Sequence, residues 1–84
     1  MAQFTYKTKG VCSREIEITI ENGIIEQVVY QGGCSGNTQG VAALVAGMTP
    51  DEAIKRLSGI RCGLKSTSCP DQLATALKEY LAAN

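Results

Sequence analysis

The feature that most constrains this 84-residue chain is the dipeptide Asn22-Gly23, which stands between two alternating segments. Both central positions of a type I′ turn require positive φ, which asparagine and glycine tolerate best. Residues 15–20 alternate glutamate or threonine with isoleucine, and residues 24–30 form the return segment. Alternation with a period of two predicts strands that bury one face. We therefore predict an antiparallel hairpin whose buried face carries Ile16, Ile18 and Ile20.

The two-residue turn also predicts how the hairpin strands pair. Counting back from the turn places Ile16 opposite Val29 and, further along, Cys12 opposite Gly33, which is next to Cys34. Two cysteines distant in sequence then meet at the open end of the hairpin. A shared face for them requires a bulge or the end of pairing at the glycines before Cys34.

One further strand and three helical segments complete the prediction. Residues 3–8 alternate in the manner of a strand. Residues 49–52, Thr-Pro-Asp-Glu, form a capping box that opens a helix, and Gly59 suits its end. We predict a single domain over residues 1–84, of the α+β class, with a small antiparallel three-stranded sheet and about three helices on one face. The apolar residues expected on the helices are Val41, Leu44, Val45 and Met48, then Ala53, Ile54 and Leu57, and, in a helix over 70–82, Leu73, Leu77 and Leu81.

The composition excludes several classes of function. Eight basic and eight acidic residues balance, which argues against a nucleic-acid or membrane surface driven by charge. The chain has no histidine, which removes Ser-His-Asp and Cys-His hydrolases and every zinc site that needs an imidazole. The N-terminus lacks the basic and apolar regions of a signal peptide, so we expect a cytoplasmic protein. In that reducing compartment, cysteines favour metal or redox chemistry over structural disulfides.

Each of the four cysteines stands within two residues of a glycine or proline that indicates a loop or helix start. Pro70 suits the first helical position, which puts Cys69 at or beside the N-cap. Free N–H groups and the helix dipole stabilise an anion there, and so favour a thiolate. A site made of thiolates without imidazole selects Zn²⁺ or an iron–sulfur cluster. The alternatives are a thiol redox role and cysteines that only fill gaps as small hydrophobic residues. The candidate metal ligands are Cys12, Cys34, Cys62 and Cys69.

The motifs around these cysteines resemble the TSCPD domain family. Residues 67–71 read T-S-C-P-D, and residues 10–13, 32–37, 59–63 and 72–74 extend the similarity over essentially the whole chain. In that family the domain occurs alone and as the C-terminal part of vitamin-B12-dependent ribonucleotide reductases, where its cysteines resemble a metal-binding cluster. The resemblance implies a link to ribonucleoside-diphosphate reductase, deoxyribonucleotide and DNA synthesis, and nucleotide binding. It implies an auxiliary role, because 84 residues have no room for the barrel and radical cofactor of the reductase.

A more distant similarity is to NifU-like iron–sulfur scaffolds. Cys12, Cys34 and Cys69 match their three cysteines in order, but Arg14 and Ser68 replace an acidic residue and a histidine of that pattern. The fourth thiol, Cys62, favours a closed and permanent site over cluster hand-over. The expected function is thus a small metal-binding module in which four cysteines hold zinc and which has a protein partner, with an iron–sulfur carrier and an electron-delivering thiol protein as alternatives. A homodimer is compatible with the one-sided sheet.

Overall fold

In the computed structural model the described residues form a three-stranded antiparallel sheet and three helices, which confirms the α+β prediction. The structure describes residues 2–11, 13–32, 35–61, 63 and 65–83. No helix in these ranges is both long enough and apolar enough to cross a bilayer. The elements are β1 (Ala2–Lys7), β2 (Ser13–Glu21), β3 (Ile24–Gly32), α1 (Ser35–Val45), α2 (Pro50–Leu57) and α3 (Cys69–Ala83), and the strands lie in the order β1-β2-β3.

The hairpin turn is as predicted, but the pairing beyond it is not. Asn22 and Gly23 have φ of 54° and 75°, the left-handed pair that a type I′ turn requires. The register shifts by one residue at Glu26, so Ile16 pairs with Tyr30 and the predicted partner Val29 is wrong. The bulge has a physical reason. One extra residue reverses the side of the sheet to which the following side chains point, and it thereby directs the apolar ones to the core.

A second register shift lies at the far end of the hairpin. It falls between Ser13 and Glu15, and it leaves Ser13 paired with Gly32. The bulge at Arg14 turns Ser13 onto the same buried face as Ile16. The sequence argument required a bulge or the end of pairing at the glycines before Cys34, and the observed bulge lies on the facing strand, β2. The predicted meeting of Cys12 with Gly33 and Cys34 lies outside the described residues.

The core forms between the inner face of the sheet and all three helices. Its fully buried side chains come from β2, β3 and α3, and Val45 of α1 and Ala53 of α2 complete it. The buried hydrophobic residues are Ile16, Ile18, Ile20, Ile25, Val28, Val45, Ala53, Leu73, Ala76 and Leu77. The predicted faces of β2 and of the first turns of α3 are therefore confirmed.

Two leucines expected in the core are exposed. Leu44 is 72% exposed, because α1 presents Thr38 and Val45, seven residues apart, to the core and Leu44 lies off that stripe. Leu81 is 39% exposed in the last turn of α3. Both corrections follow from where the helices meet the sheet and not from their apolar content.

The start of α2 and the turn before it are held by specific hydrogen bonds. Thr49 caps α2, since its Oγ1 accepts from the N–H of Glu52 at 3.2 Å, as predicted. The Glu52 carboxylate pairs instead with Arg56, at 3.0 Å. Just before the cap, the Ile25 N–H donates to the Met48 carbonyl and the Gly47 N–H donates to the Ile25 carbonyl, each at 2.8 Å. These two bonds occupy the outward backbone groups of Ile25, near the start of β3.

Candidate metal centre

Helix α3 begins within the T-S-C-P-D motif. Ser68 is its N-cap: the Ser68 Oγ accepts from the Asp71 N–H at 3.1 Å, and its carbonyl accepts from the Gln72 N–H at 2.8 Å. Cys69 is therefore the first helical residue, beside the N-cap as predicted. Pro70 takes the second position and not the first, because serine outcompetes cysteine as a capping acceptor.

Cys69 is enclosed by the sheet. Its residue is 8% exposed, and its Sγ lies 3.3 Å from the Ser13 Oγ on β2. Its carbonyl accepts from the Tyr30 hydroxyl at 3.0 Å, which ties the helix start to β3. Burial raises the pKa of Tyr30, and the neighbouring Cys69 raises it further, so the phenol stays a neutral donor. Cys69 is thus held by one contact from each hairpin strand, from Ser13 at its sulfur and from Tyr30 at its carbonyl.

The Asp71 carboxylate joins the loop before α3 to the helix. It accepts from the Thr67 hydroxyl and, at 2.7 Å, from the Gly59 N–H. The Thr67 hydrogen bond is the main cause that lowers the pKa of Asp71; the Gly59 N–H and Lys78 act in the same direction, against the effect of burial. Asp71 therefore remains ionised and stabilises the positive end of α3.

Gln72 extends the same network to the β1–β2 connection. Its Nε2 donates to the Thr67 Oγ1 at 3.1 Å, and its Oε1 accepts from the Lys9 N–H at 2.9 Å. A methyl-sized group on Gly10 would lie 3.4 Å from the Thr67 side chain, so these loops are in close contact. The β1–β2 connection and the loop before α3 therefore meet at the start of α3.

Basic residues concentrate in these two loops. Lys9 and Arg14 flank the β1–β2 connection, and Arg61 and Lys65 lie in the loop before α3; all four are exposed. This end of the molecule therefore carries four exposed cations beside the Asp71 carboxylate, within a chain of zero net charge. A positive environment favours thiolates and other anions.

Of the four predicted ligands, Cys69 lies within the described residues, whereas Cys12, Cys34 and Cys62 lie outside them. Within the described ranges, no three His, Cys, Asp or Glu side chains come together as a metal-binding group. The prediction did not single out Ser13 or Tyr30, which contact Cys69. Ser13 follows Cys12 directly in sequence, but the bulge that turns it inward leaves no sequence signal that would have identified it.

Comparison with known families agrees with the motif. The family model described as the TSCPD domain matches residues 3–81 of the chain. No curated protein and no solved structure matches. The similarity to NifU-like scaffolds therefore stays a prediction.

Proposed function

From the premise that the chain belongs to the TSCPD domain family, we propose that it is a cysteine-ligated metal-binding module, with Zn²⁺ held by Cys12, Cys34, Cys62 and Cys69. The observation that carries the proposal is the placement of the Cys69 sulfur. It lies at the first position of a helix, 3.3 Å from a hydroxyl group. A helix N-terminus and a hydroxyl donor are the surroundings that suit a thiolate ligand.

The hairpin supports two further ligands. Ser13, which contacts Cys69, directly follows Cys12 in the chain. Its strand partner, Gly32, stands two residues before Cys34. The described residues Ser13 and Gly32, which stand close to these two cysteines in sequence, therefore lie at the same end of the sheet as Cys69.

The charges of the two loops fit the same ligand set. Four thiolates around Zn²⁺ carry two net negative charges, and the exposed Lys9, Arg14, Arg61 and Lys65 offset them. Four sulfur ligands also complete a tetrahedral shell, which is typical of structural zinc and leaves no open position for catalysis. A bound zinc would supply a cross-link between the hairpin and the loop before α3.

The proposed role is auxiliary or interactive. By resemblance, the partner is a ribonucleotide reductase, so the process served is deoxyribonucleotide synthesis for DNA, in the cytoplasm. The chain acts there as a protein-binding module and not as the reductase, since the radical chemistry requires a large cofactor-bearing enzyme. Nucleotide binding remains a family-based expectation that the same preparations can test.

The test is elemental analysis of untagged, anaerobically purified protein together with its absorption spectrum. We expect one zinc per chain and no colour, loss of the zinc in Cys69→Ser, and retention in Ser66→Ala, a matched change in the same loop. Zinc-free wild-type protein, or a Cys69→Ser variant with full zinc content, would contradict the proposal.

The two alternatives give different results in the same preparations. Iron with sulfide and a brown colour would favour an iron–sulfur carrier that uses the same cysteines. A reversible Cys62–Cys69 disulfide without metal would favour a thiol protein that delivers electrons to a reductase. Cys69 is buried, with 8% exposure, whereas redox-active cysteines are typically partly exposed.

A further inference from the structure

The two edges of the sheet differ. The outer edge of β3 is covered at Ile25 by the hydrogen bonds to Gly47 and Met48. Strand β1 is the other edge, and within the described residues no backbone group pairs with its outer side. It has no proline and no register shift. Prolines and register shifts are two of the devices that protect natural edge strands against pairing with another chain, and Lys7 is the one charged residue that β1 carries.

The unpaired backbone groups of β1 can be assigned. In an antiparallel ladder the N–H and C=O of one residue point to the same side, and the side alternates along the strand. The Thr8 N–H donates to the Arg14 carbonyl on the β2 side at 3.1 Å. Counting back from Thr8, the groups that point to the open edge are those of Gln3, Thr5 and Lys7.

A groove runs alongside this edge, between β1 and α3. Its volume is about 600 Å³. Phe4 and Tyr80 stack across it with ring centroids 5.0 Å apart. Glu79 is the one charged side chain in its lining among the described residues. Ala2, Phe4 and Tyr6 are half-buried and face this side, whereas Gln3, Thr5 and Lys7 are exposed on the other.

We propose that β1 is a dimerisation strand, which pairs antiparallel with β1 of a second copy of this chain about a two-fold axis at Thr5. An added strand must present apolar side chains on the groove side and polar ones on the outer side, and β1 has that alternation itself. Residues that are directly opposite each other in an antiparallel pair place their side chains on the same side of the sheet, so Thr5 opposite Thr5 is an allowed pairing. Thr5 also has both of its backbone groups on the open edge. The six-stranded sheet that results is continuous through the two copies.

This register is self-complementary in chemistry as well as in backbone geometry. Phe4 of each copy faces Tyr6 of the other, an aromatic cross-strand pair that is repeated by symmetry. The phenol of that Tyr6 is a donor of the kind that the Glu79 carboxylate in the groove accepts. Lys7 is the only charged residue in β1, and it faces the uncharged Gln3 of the other copy, so no like charges meet. A foreign peptide would need the same alternation, which a second copy of β1 already has.

The first test is sedimentation of the full chain, as purified, from micromolar to millimolar concentration. We expect a dimer for the wild type and for Thr5→Val, and a dissociation constant raised about tenfold or more by Thr5→Pro. Proline removes the outward N–H of Thr5 and leaves every bond to β2 in place, so the monomer fold is retained. A wild type that stays monomeric throughout would overturn the proposal.

The second test fixes the two-fold axis and does not depend on proline. Thr5→Lys and Thr5→Glu each place like charges opposite one another across the axis, so each variant alone should shift towards monomer. An equimolar mixture should recover the dimer, because lysine then faces glutamate. Variants that dimerise as well as the wild type, or a mixture that stays monomeric, would overturn the assignment of β1.

Discussion

The hydrogen bonds of Asp71, the last residue of the T-S-C-P-D motif, explain why this position is an acid. The Asp71 N–H donates to the side chain of Ser68, the N-cap. The Asp71 carboxylate accepts from both the Thr67 hydroxyl and the Gly59 N–H. A neutral amide at this position would keep one acceptor and lose the charge that favours a helix N-terminus. The first and last residues of the motif, Thr67 and Asp71, therefore support Cys69 structurally.

We expect Asp71→Asn to lower the free energy of unfolding at neutral pH by about 1 kcal/mol, since the carboxylate is partly exposed. The folded-state pKa of Asp71 is lowered, so its contribution is complete above the ordinary value of 3.8 and is lost as the pH falls through the lowered one. The measurement is urea unfolding of wild type and variant at pH values above and below that window.

The matched control is Asp51→Asn, an exposed acid in the first turn of α2. It should change the unfolding free energy by less than half as much. A deficit of Asp71→Asn that persists undiminished at low pH would show that the loss arises from packing and not from the charge.

At the scale of elements, glycines mark both where a helix can be strengthened and where a turn depends on them. Gly40 lies inside α1, is exposed, and has nothing within 4 Å of an added Cβ. Gly47 lies in the turn that follows α1, with φ of +95°, a conformation that L side chains rarely adopt. The same substitution should therefore have opposite effects at the two positions.

We expect Gly40→Ala to raise the unfolding free energy by about 0.5–1 kcal/mol, because alanine loses less conformational entropy in a helix. Gly47→Ala should lower it by about 1 kcal/mol, because it strains the backbone beside the bonds to Ile25. Thermal and urea unfolding of both variants check the pair. Equal signs for the two changes would contradict the assigned backbone conformations.

Local signals predicted the elements well. The Asn22-Gly23 turn and the Thr49 cap depend on residues within one turn of each other, so the sequence alone contains their chemistry. The bulge at Glu26 has no such signal, because it results from the fit of the whole hairpin to the helices. At the candidate site, the motif predicted the position of Cys69, but its contacts with Ser13 and Tyr30 join residues 56 and 39 positions away.

At the scale of the whole molecule, a chain of 84 residues buries a small core and gains little stability from burial alone. The proposed zinc would join the hairpin end to the α3 loop, two regions that are distant in sequence. The apparent unfolding free energy should then rise by about 1.4 kcal/mol for each tenfold increase in free zinc above the dissociation constant.

This dependence can be measured by thermal unfolding in zinc buffers. Cys69→Ser should flatten it, whereas Ser66→Ala should leave it unchanged. If the unfolding midpoint of the wild type does not respond to zinc or to a chelator, the metal does not contribute to the stability of the fold.

The hydrogen bonds at Ile25, on the outer edge of β3, have a consequence for how far the sheet can extend through added copies. A sheet with two open edges can add copies without end and build a fibre, because each new copy exposes another template. Here the bonds that join Ile25 to Gly47 and Met48 occupy the outward backbone groups near the start of β3, so copies joined through β1 would present β3 edges that are blocked at that position. The turn after α1 thus hinders the addition of a further strand at the start of β3, and it works there against the growth of fibrils.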